Sequence, residues 1–443
     1  MKEDDDTISQ GSQDTLDSSL NDDIKLNPAV EKVLLQFRCK VQDAILGNYI
    51  YGQPPPPTSP GVQGVNTDED DEKGSLEMCV HGVDSDDENG SLAIQKDIRE
   101  ISLWGIPLLP SKAHEGTDIL LLKFLQAKDF KVNDAFEMLQ KMLKWRKEFD
   151  IDEILNKEIW PDLERVGYID GNDRKGRPVC YMHYGALREM TMYQKTFDSE
   201  EFIRWRAQIV EKGIEQLKFK EGEVNSMIQI SDLKNSSGSG GKDLRPVWKK
   251  SYSFFEEHYP EMLHRVIFVN VPFWFYAYHS LATRFYTQRD KNKFVFARPS
   301  KATKTLLKYI APENLPVQYG GLKRDNDDDF SPEIPVLETI VKPGCIDSIE
   351  IPVPEAGVTV VWDLMVVGLD VSYKEEFVPD DDCSYRIIIQ KTKNLSGSVR
   401  NSFYINEPGN VRLTIDNSTF KKKKVLYRLK IKPTHPMYIY MKK

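Results

Sequence analysis

The stretch from Phe254 to Phe296 limits what this chain can fold into more than any other part of it. Val266-Ile267-Phe268-Val269-Asn270-Val271 is almost continuously apolar and rich in β-branched residues. That pattern fits a strand covered on both faces, as in a parallel sheet. Pro272 has no N–H to donate and ends the ladder. A helix-length segment follows, with Phe273, Trp274, Phe275, Tyr276, Tyr278, Leu281 and Phe285, apolar on almost every side. Such a helix must be buried, or must face something apolar that is not protein. The residues alone leave two readings open: a core helix, or a movable wall over a lipid cavity. Lys293 then opens a second short strand, Phe294-Val295-Phe296.

With 443 residues the chain is too long for one core, and two or three domains with linkers are expected. The net charge of −9 speaks against a general nucleic-acid binder, and no nucleic-acid partner is expected. The five cysteines, Cys39, Cys79, Cys180, Cys345 and Cys383, form no CxxC pair. This fits a reducing, cytoplasmic compartment, with neither a disulfide frame nor a zinc site. The acidic, polar start does not read as a signal peptide. No apolar run approaches the roughly eighteen residues of a transmembrane helix. Membrane contact is therefore expected to be peripheral.

Residues 1–100 read as a mostly disordered acidic tail, too polar to offset chain entropy by burial. Ser85 within Asp86-Asp87-Glu88 is a candidate phosphorylation site. One island near 28–47 carries a helical stripe, Val30, Val33, Leu34, Phe37, Val41, Ala44 and Ile45, announced by Asn27-Pro28. It either docks on its own core or binds a partner. Residues 101–158 read as a helical region, with Thr117 and Asn133 as expected caps of two amphipathic helices joined at Asp129-Phe130-Lys131. From 159 to 323 strands and helices alternate, which argues an α/β sheet with helices over it. Residues 324–335, with Asp325, Asp327, Asp328, Asp329 and Pro332, read as a polar linker. From 336 to 443 the pattern changes to short strands near 348–353, 357–369, 385–391, 411–416 and 425–431, an all-β sandwich.

Enzyme signatures are not found. Gly238-Ser239-Gly240-Gly241-Lys242 is followed by Asp243 and lacks the earlier glycine of a phosphate loop. Ser239 lacks the spacing of a nucleophile elbow, and the seven histidines give no HExxH. No catalytic residue, metal site or cofactor is assigned. Binding signals are stronger. A lipid pocket needs apolar lining and a few fixed polar groups near the headgroup. Glu261 and Lys293 flank the aromatic stretch, and a lysine at a pocket mouth can pair with a lipid phosphate. Lys421, Lys422, Lys423 and Lys424 sit in an apparent turn before the last strand. They either contact an anionic membrane or protect an edge strand from aggregation.

The run Asp118-Ile119-Leu120-Leu121-Leu122-Lys123-Phe124-Leu125-Gln126-Ala127-Lys128-Asp129-Phe130-Lys131-Val132, ending its second helix at Trp145-Arg146, resembles the N-terminal hairpin of CRAL-TRIO lipid-transfer proteins. Tyr259-Pro260-Glu261, Asn270-Val271-Pro272 and Asn314-Leu315-Pro316-Val317-Gln318-Tyr319-Gly320-Gly321 look like that family's hallmark segments. The C-terminal sandwich resembles a GOLD domain. The combination, with Ile101-Ser102-Leu103-Trp104-Gly105-Ile106-Pro107, is similar to the plant patellins.

The resemblance implies a non-enzymatic binder of a phosphoinositide or another hydrophobic ligand. It also implies a gate helix from Phe273, and a headgroup site at Glu261, Lys293 and Lys128. It implies a role in membrane trafficking and cell-plate formation, with protein partners through the GOLD domain and the tail. The chain departs from the family at Gln126, Lys128 and Asp129, at Asp290, and at Met227 and Gln229, which replace small hydroxyls of choline-lipid binders. The alternative is a membrane scaffold with a vestigial cavity.

Overall fold

The computed structural model describes residues 27–52, 99–157, 161–186, 199–236, 253–273, 275 and 292–434. The acidic tail, Ser85, the Gly238–Lys242 loop and Asp290 lie outside them.

Helix α1 (Pro28–Leu46) starts as its sequence signal predicts: Asn27 Oδ1 accepts from Val30 N at 2.9 Å, and Pro28 occupies the first turn, where no donor is lost. Its Leu34, Phe37, Val41, Ala44 and Ile45 are buried against α2 (Glu115–Ala127) and α3 (Val132–Phe149). Arg38 pairs with Asp118 at 3.1 Å across that junction. The island thus docks on its own core. The two expected caps are corrected. The imidazole of His114 caps α2, accepting from Gly116 N at 3.0 Å. Thr117 lies inside the first turn and donates to Pro107 O at 2.8 Å. Lys131, without a side-chain bond, precedes α3, and Asn133 instead receives Lys40 Nζ at 2.5 Å. In both cases a tertiary partner claimed the side chain that local propensity had assigned to the cap.

A short antiparallel pair, β1 (Ser102–Leu103) and β2 (Ile106–Pro107), precedes α2. The α/β unit holds a five-stranded sheet in the order β3-β4-β5-β6-β7: Gly167–Asn172, Pro178–His183, Met227–Asp232, Leu263–Val269 and Phe294–Phe296. Only β3 runs antiparallel to its neighbour. Strand alternation divides the sheet into two buried faces. On one, Val179, Tyr181, Ile228, Ile230, Ile267, Val269 and Val295 pack against a closing helix (Ala302–Tyr309) and Leu315 and Tyr319. The turn that returns this layer to the sheet needs glycine. A Cβ on Gly321 would lie 1.9 Å from Leu315 O, and Gly320 has φ of 82° against Thr303. The other face lies under the helix Ser199–Ile214, the hairpin and aromatic side chains.

The C-terminal unit is a sandwich of two four-stranded antiparallel sheets, β13-β10-β15-β8 and β12-β11-β14-β9. Strands β8 (Leu337–Val341), β11 (Ser372–Pro379) and β13 (Val399–Ile405) were not evident from sequence, whereas β9 (Cys345–Val353), β10 (Val358–Val366), β12 (Ile387–Asn394), β14 (Gly409–Asn417) and β15 (Lys423–Pro433) fall where runs were expected. Its core is Trp362, Leu364, Tyr373, Phe377, Val411, Leu413 and Ile415.

The segment 324–335 is not a free tether. Asp327 accepts both Arg400 Nη atoms at 2.7 Å and Arg428 Nη2 at 3.2 Å. Asp363, with no exposed side-chain surface, accepts from Arg324 at 3.0 Å, Arg400 at 2.6 Å and Arg428 at 3.2 Å. Phe330 lies under the guanidinium groups of Arg400 and Arg428. Arg428 also donates to Leu322 O at 2.6 Å, so the network fastens the sandwich to the last turn of the α/β unit. Burial alone would raise the Asp327 pKa. The bonds from Arg400 and from the Phe330 and Asp329 backbone outweigh it and hold the carboxyl at about 2.

Asp363→Ala would leave three arginines short of a carboxylate, and a loss of about 3–5 kcal/mol in the sandwich's unfolding free energy is expected from denaturant titration. Because the Asp327 pKa is depressed on folding, its contribution is present above the unfolded carboxylate value near 4 and is lost as pH falls through about 2. Protease protection of residues 322–330 is therefore expected to survive at pH 5 and weaken between about pH 4 and pH 2. Protection that does not change over that window would remove Asp327 from the fastening.

Candidate functional site

The face of the sheet that Phe275 covers is built in two register rows. Met182, Ser231, Phe268 and Phe296 are successive partners across β4, β5, β6 and β7. Cys180, Gln229, Val266 and Phe294 form the row beside them. Neighbouring strands lie about 4.8 Å apart, so each row runs roughly 14 Å across the sheet. The β6–β7 half is aromatic: Phe268 stacks on Phe296 at 5.1 Å with rings 7° apart. Phe275 covers both, 5.5 Å from Phe268 and 6.0 Å from Phe296. Phe275 is thus a wall residue of this face. Phe273, two residues earlier, is 82% exposed. The other expected gate residues, Trp274, Tyr276, Leu281 and Phe285, have no described side chains.

At the N-terminal ends of β6 and β7 the structure brings two predicted headgroup residues together. Lys293 Nζ donates to Glu261 Oε1 at 2.9 Å, and both side chains are largely buried. Glu261 has φ of 53°, a left-handed turn that brings its carboxylate to the start of β6. Lys128 is not in this contact: it is half-buried at the C-terminal end of α2. The lysine that does reach the site is Lys123, which was not singled out. It is 5% exposed and donates to Glu261 O at 2.9 Å and Asn225 Oδ1 at 3.1 Å. Its signal was a lone cation inside Leu120–Leu125, a core-facing run where an ammonium needs fixed acceptors.

The four-lysine run does not act as one patch. Lys423 is buried and donates to Leu369 O at 2.8 Å, and Lys424 pairs with Glu338 at 2.7 Å. Both belong to β15, not to a turn. Lys421 and Lys422 are exposed in the β14–β15 turn, beside Phe420, whose side chain is 99% exposed.

A concavity of about 1320 Å³ lies past the C-terminal ends of β4, β5 and β6. His183, Asp232, Asn270, Tyr168 and Tyr319 line it. Burial lowers the His183 pKa against the pull of Asp232, so the imidazole there is neutral near pH 7. Among the described residues no His, Cys, Asp and Glu cluster fits a metal ion, and no helix is long and apolar enough to cross a membrane.

Three family models match the chain: the CRAL/TRIO N-terminal domain over residues 86–141, the CRAL/TRIO domain over 164–321, and the Patellin-1-like C-terminal GOLD domain over 342–423. The chain is 51% identical to Patellin-4 of Arabidopsis thaliana over 338 residues, 75% of this chain and 62% of that protein. It is 43% identical to Patellin-3 of the same plant over 373 residues, 82% of this chain and 75% of that protein. A phosphatidylinositol transfer protein of Emericella nidulans is 31% identical over 249 residues, 50% of this chain and 58% of that protein.

Lys293→Ala and Glu261→Ala each strand a partly desolvated charge. Each is expected to destabilise the chain, and the double variant to recover part of the loss, with a coupling of about 1 kcal/mol. Strictly additive unfolding free energies would mean the two groups are neighbours without an energetic pair.

Proposed function

The chain belongs to the patellin family, and from that premise we propose that it carries a lipid along the aromatic face of its sheet and works peripherally at membranes. The observation that carries this reading is the Phe268–Phe275–Phe296 cluster on that face. An apolar wall with polar groups at its margin is what a lipid site requires. A phosphoinositide is the proposed cargo, with Lys293, Glu261 and Lys123 at the headgroup end. The name of the Emericella relative, a phosphatidylinositol transfer protein, supports that choice. The roles in trafficking and cell-plate formation are proposed on family membership. The segment after Pro272 is the proposed gate.

Membrane contact is proposed for the β14–β15 turn. A fully exposed phenylalanine beside two exposed lysines offers an apolar plug for the acyl boundary and charges for anionic headgroups. Each such lysine near the surface contributes about 1 kcal/mol.

Two measurements test this. Vesicle-to-vesicle transfer of labelled phosphatidylinositol should be accelerated by the purified chain. Transfer at the rate of the protein-free control would remove the carrier reading. Replacing Lys421 and Lys422 by Gln should weaken binding to anionic vesicles roughly thirtyfold at low salt and flatten its salt dependence. Phe420→Ser should weaken binding at all salt concentrations. Replacing Lys423 should act through folding instead, because its ammonium is held by Leu369. Unchanged vesicle binding in both turn variants would place membrane contact elsewhere.

A further inference from the structure

The polar half of the sheet face holds a charge that no carboxylate among the described residues neutralises. Arg206, on the helix Ser199–Ile214, is 2% exposed. Its Nη2 donates to Gln229 Oε1 at 3.1 Å, its Nη1 rests on Met182 Sδ, and its Cζ lies 4.7 Å from the centre of the Phe255 ring. Among the described residues no carboxylate lies within ion-pair distance of it. The contrast with two other buried arginines is direct. Arg177 is paired with Asp173, and Arg428 with Asp327 and Asp363. Arg146, one helix away, holds Glu211 in an ion pair.

A guanidinium taken out of water is costly unless a counter-charge and hydrogen bonds repay the desolvation. The neighbours of Arg206 supply no such charge. Burial raises the pKa of the Cys180 thiol and of the Tyr184 hydroxyl, which keeps both neutral. Gln229 gives Arg206 its one carboxamide oxygen and turns its Nε2 to Ser231 Oγ at 2.9 Å. The cluster is therefore rich in donors, positive, and short of acceptors. It also occupies a particular place. Ser231 is the register partner of Phe268, and Gln229 that of Val266. One step across the sheet from the polar cluster, the aromatic half begins.

We propose that Arg206, with Gln229, Ser231 and Tyr184, receives the anionic end of an amphiphile whose apolar body lies over Phe268 and Phe296. This rests on the reading of that face as a lipid floor. It adds a second polar contact point, separate from the Lys293–Glu261 pair at the N-terminal ends of β6 and β7. It also assigns a chemical class, because a carboxylate or phosphate oxygen supplies the acceptors and charge the cluster lacks, whereas a neutral or cationic head does not.

The test uses the full chain, stripped of lipid, with hexadecanoate, hexadecyl phosphate and hexadecanol as probes below their aggregation concentrations. The wild-type chain should bind at least one anionic probe about tenfold or more tightly than the alcohol. Whichever anion binds better identifies the carboxylate or the phosphate as the source. Arg206→Met should bind the three within about threefold of one another. Arg206→Gln should do the same if the apolar variant fails to fold, and Arg206→Lys should keep the anionic preference in direction. Hexadecanol bound as tightly as both anions by the wild-type chain, or an undiminished preference in the neutral variants, overturns this assignment and leaves the lipid reading standing. Binding of none of the three probes would overturn the lipid reading, and this assignment with it.

Discussion

Two-sided burial of one small sheet is the constraint on which the rest of this structure depends. A parallel sheet whose strands are apolar on both faces cannot leave either to water. Here one face is closed by a tightly turned C-terminal layer, in which Leu306, Ile310, Leu315 and Tyr319 are all buried. The other is finished unevenly. Over β4 and β5 it meets Trp205, Arg206 and Ile209 of a single helix. Over β6 and β7 it meets the ring of Phe275. That uneven finish sets this face apart as the one proposed to receive the lipid.

The charged residues follow the same logic of what must be satisfied where water is excluded. Glu211 takes Arg146 and the indole N–H of Trp104, which joins the β1–β2 turn to the helix over the sheet. Asp327 and Asp363 gather Arg324, Arg400 and Arg428 at the junction of the two units. These are acceptors and donors brought together from positions tens to more than a hundred residues apart. Each group would be expensive to bury singly, so the network forms only when both units are folded and docked. Orientation of the sandwich, and with it the Phe420 turn, is therefore coupled to the α/β unit rather than left to a flexible linker.

That same long-range character separates what was legible in the sequence from what was not. The β6 run, the Asn27-Pro28 start and the α/β alternation are local patterns, and they were read with the correct element type. The β11 strand was missed because Lys374, Glu375 and Glu376 look like solvated turn residues. In the fold Glu375 is wholly buried and accepts from Trp362, Tyr373 and Asn401. The aspartates after Arg324 read as a linker for the same reason. Thr117 and Asn133 had the chemistry of caps, but Pro107 and Lys40 were better partners. At the candidate site, Glu261 and Lys293 were singled out through the resemblance to lipid-transfer proteins, and Phe275 through its apolar segment. Lys123 and Arg206 were not, since a cation among apolar residues in a helix reads as its solvated edge until the packing is known. Phe420 was overshadowed by the lysines that follow it, two of which are spent within the fold.

The most direct measurement is photo-crosslinking with a phosphatidylinositol carrying a diazirine in its acyl chain, followed by peptide mapping of the labelled sites. A lipid lying on the sheet face predicts label on the peptides that contain Phe268, Phe275, Phe294 and Phe296, at no more than one lipid per chain. Label confined to the sandwich, or none above a protein without this face, would contradict it.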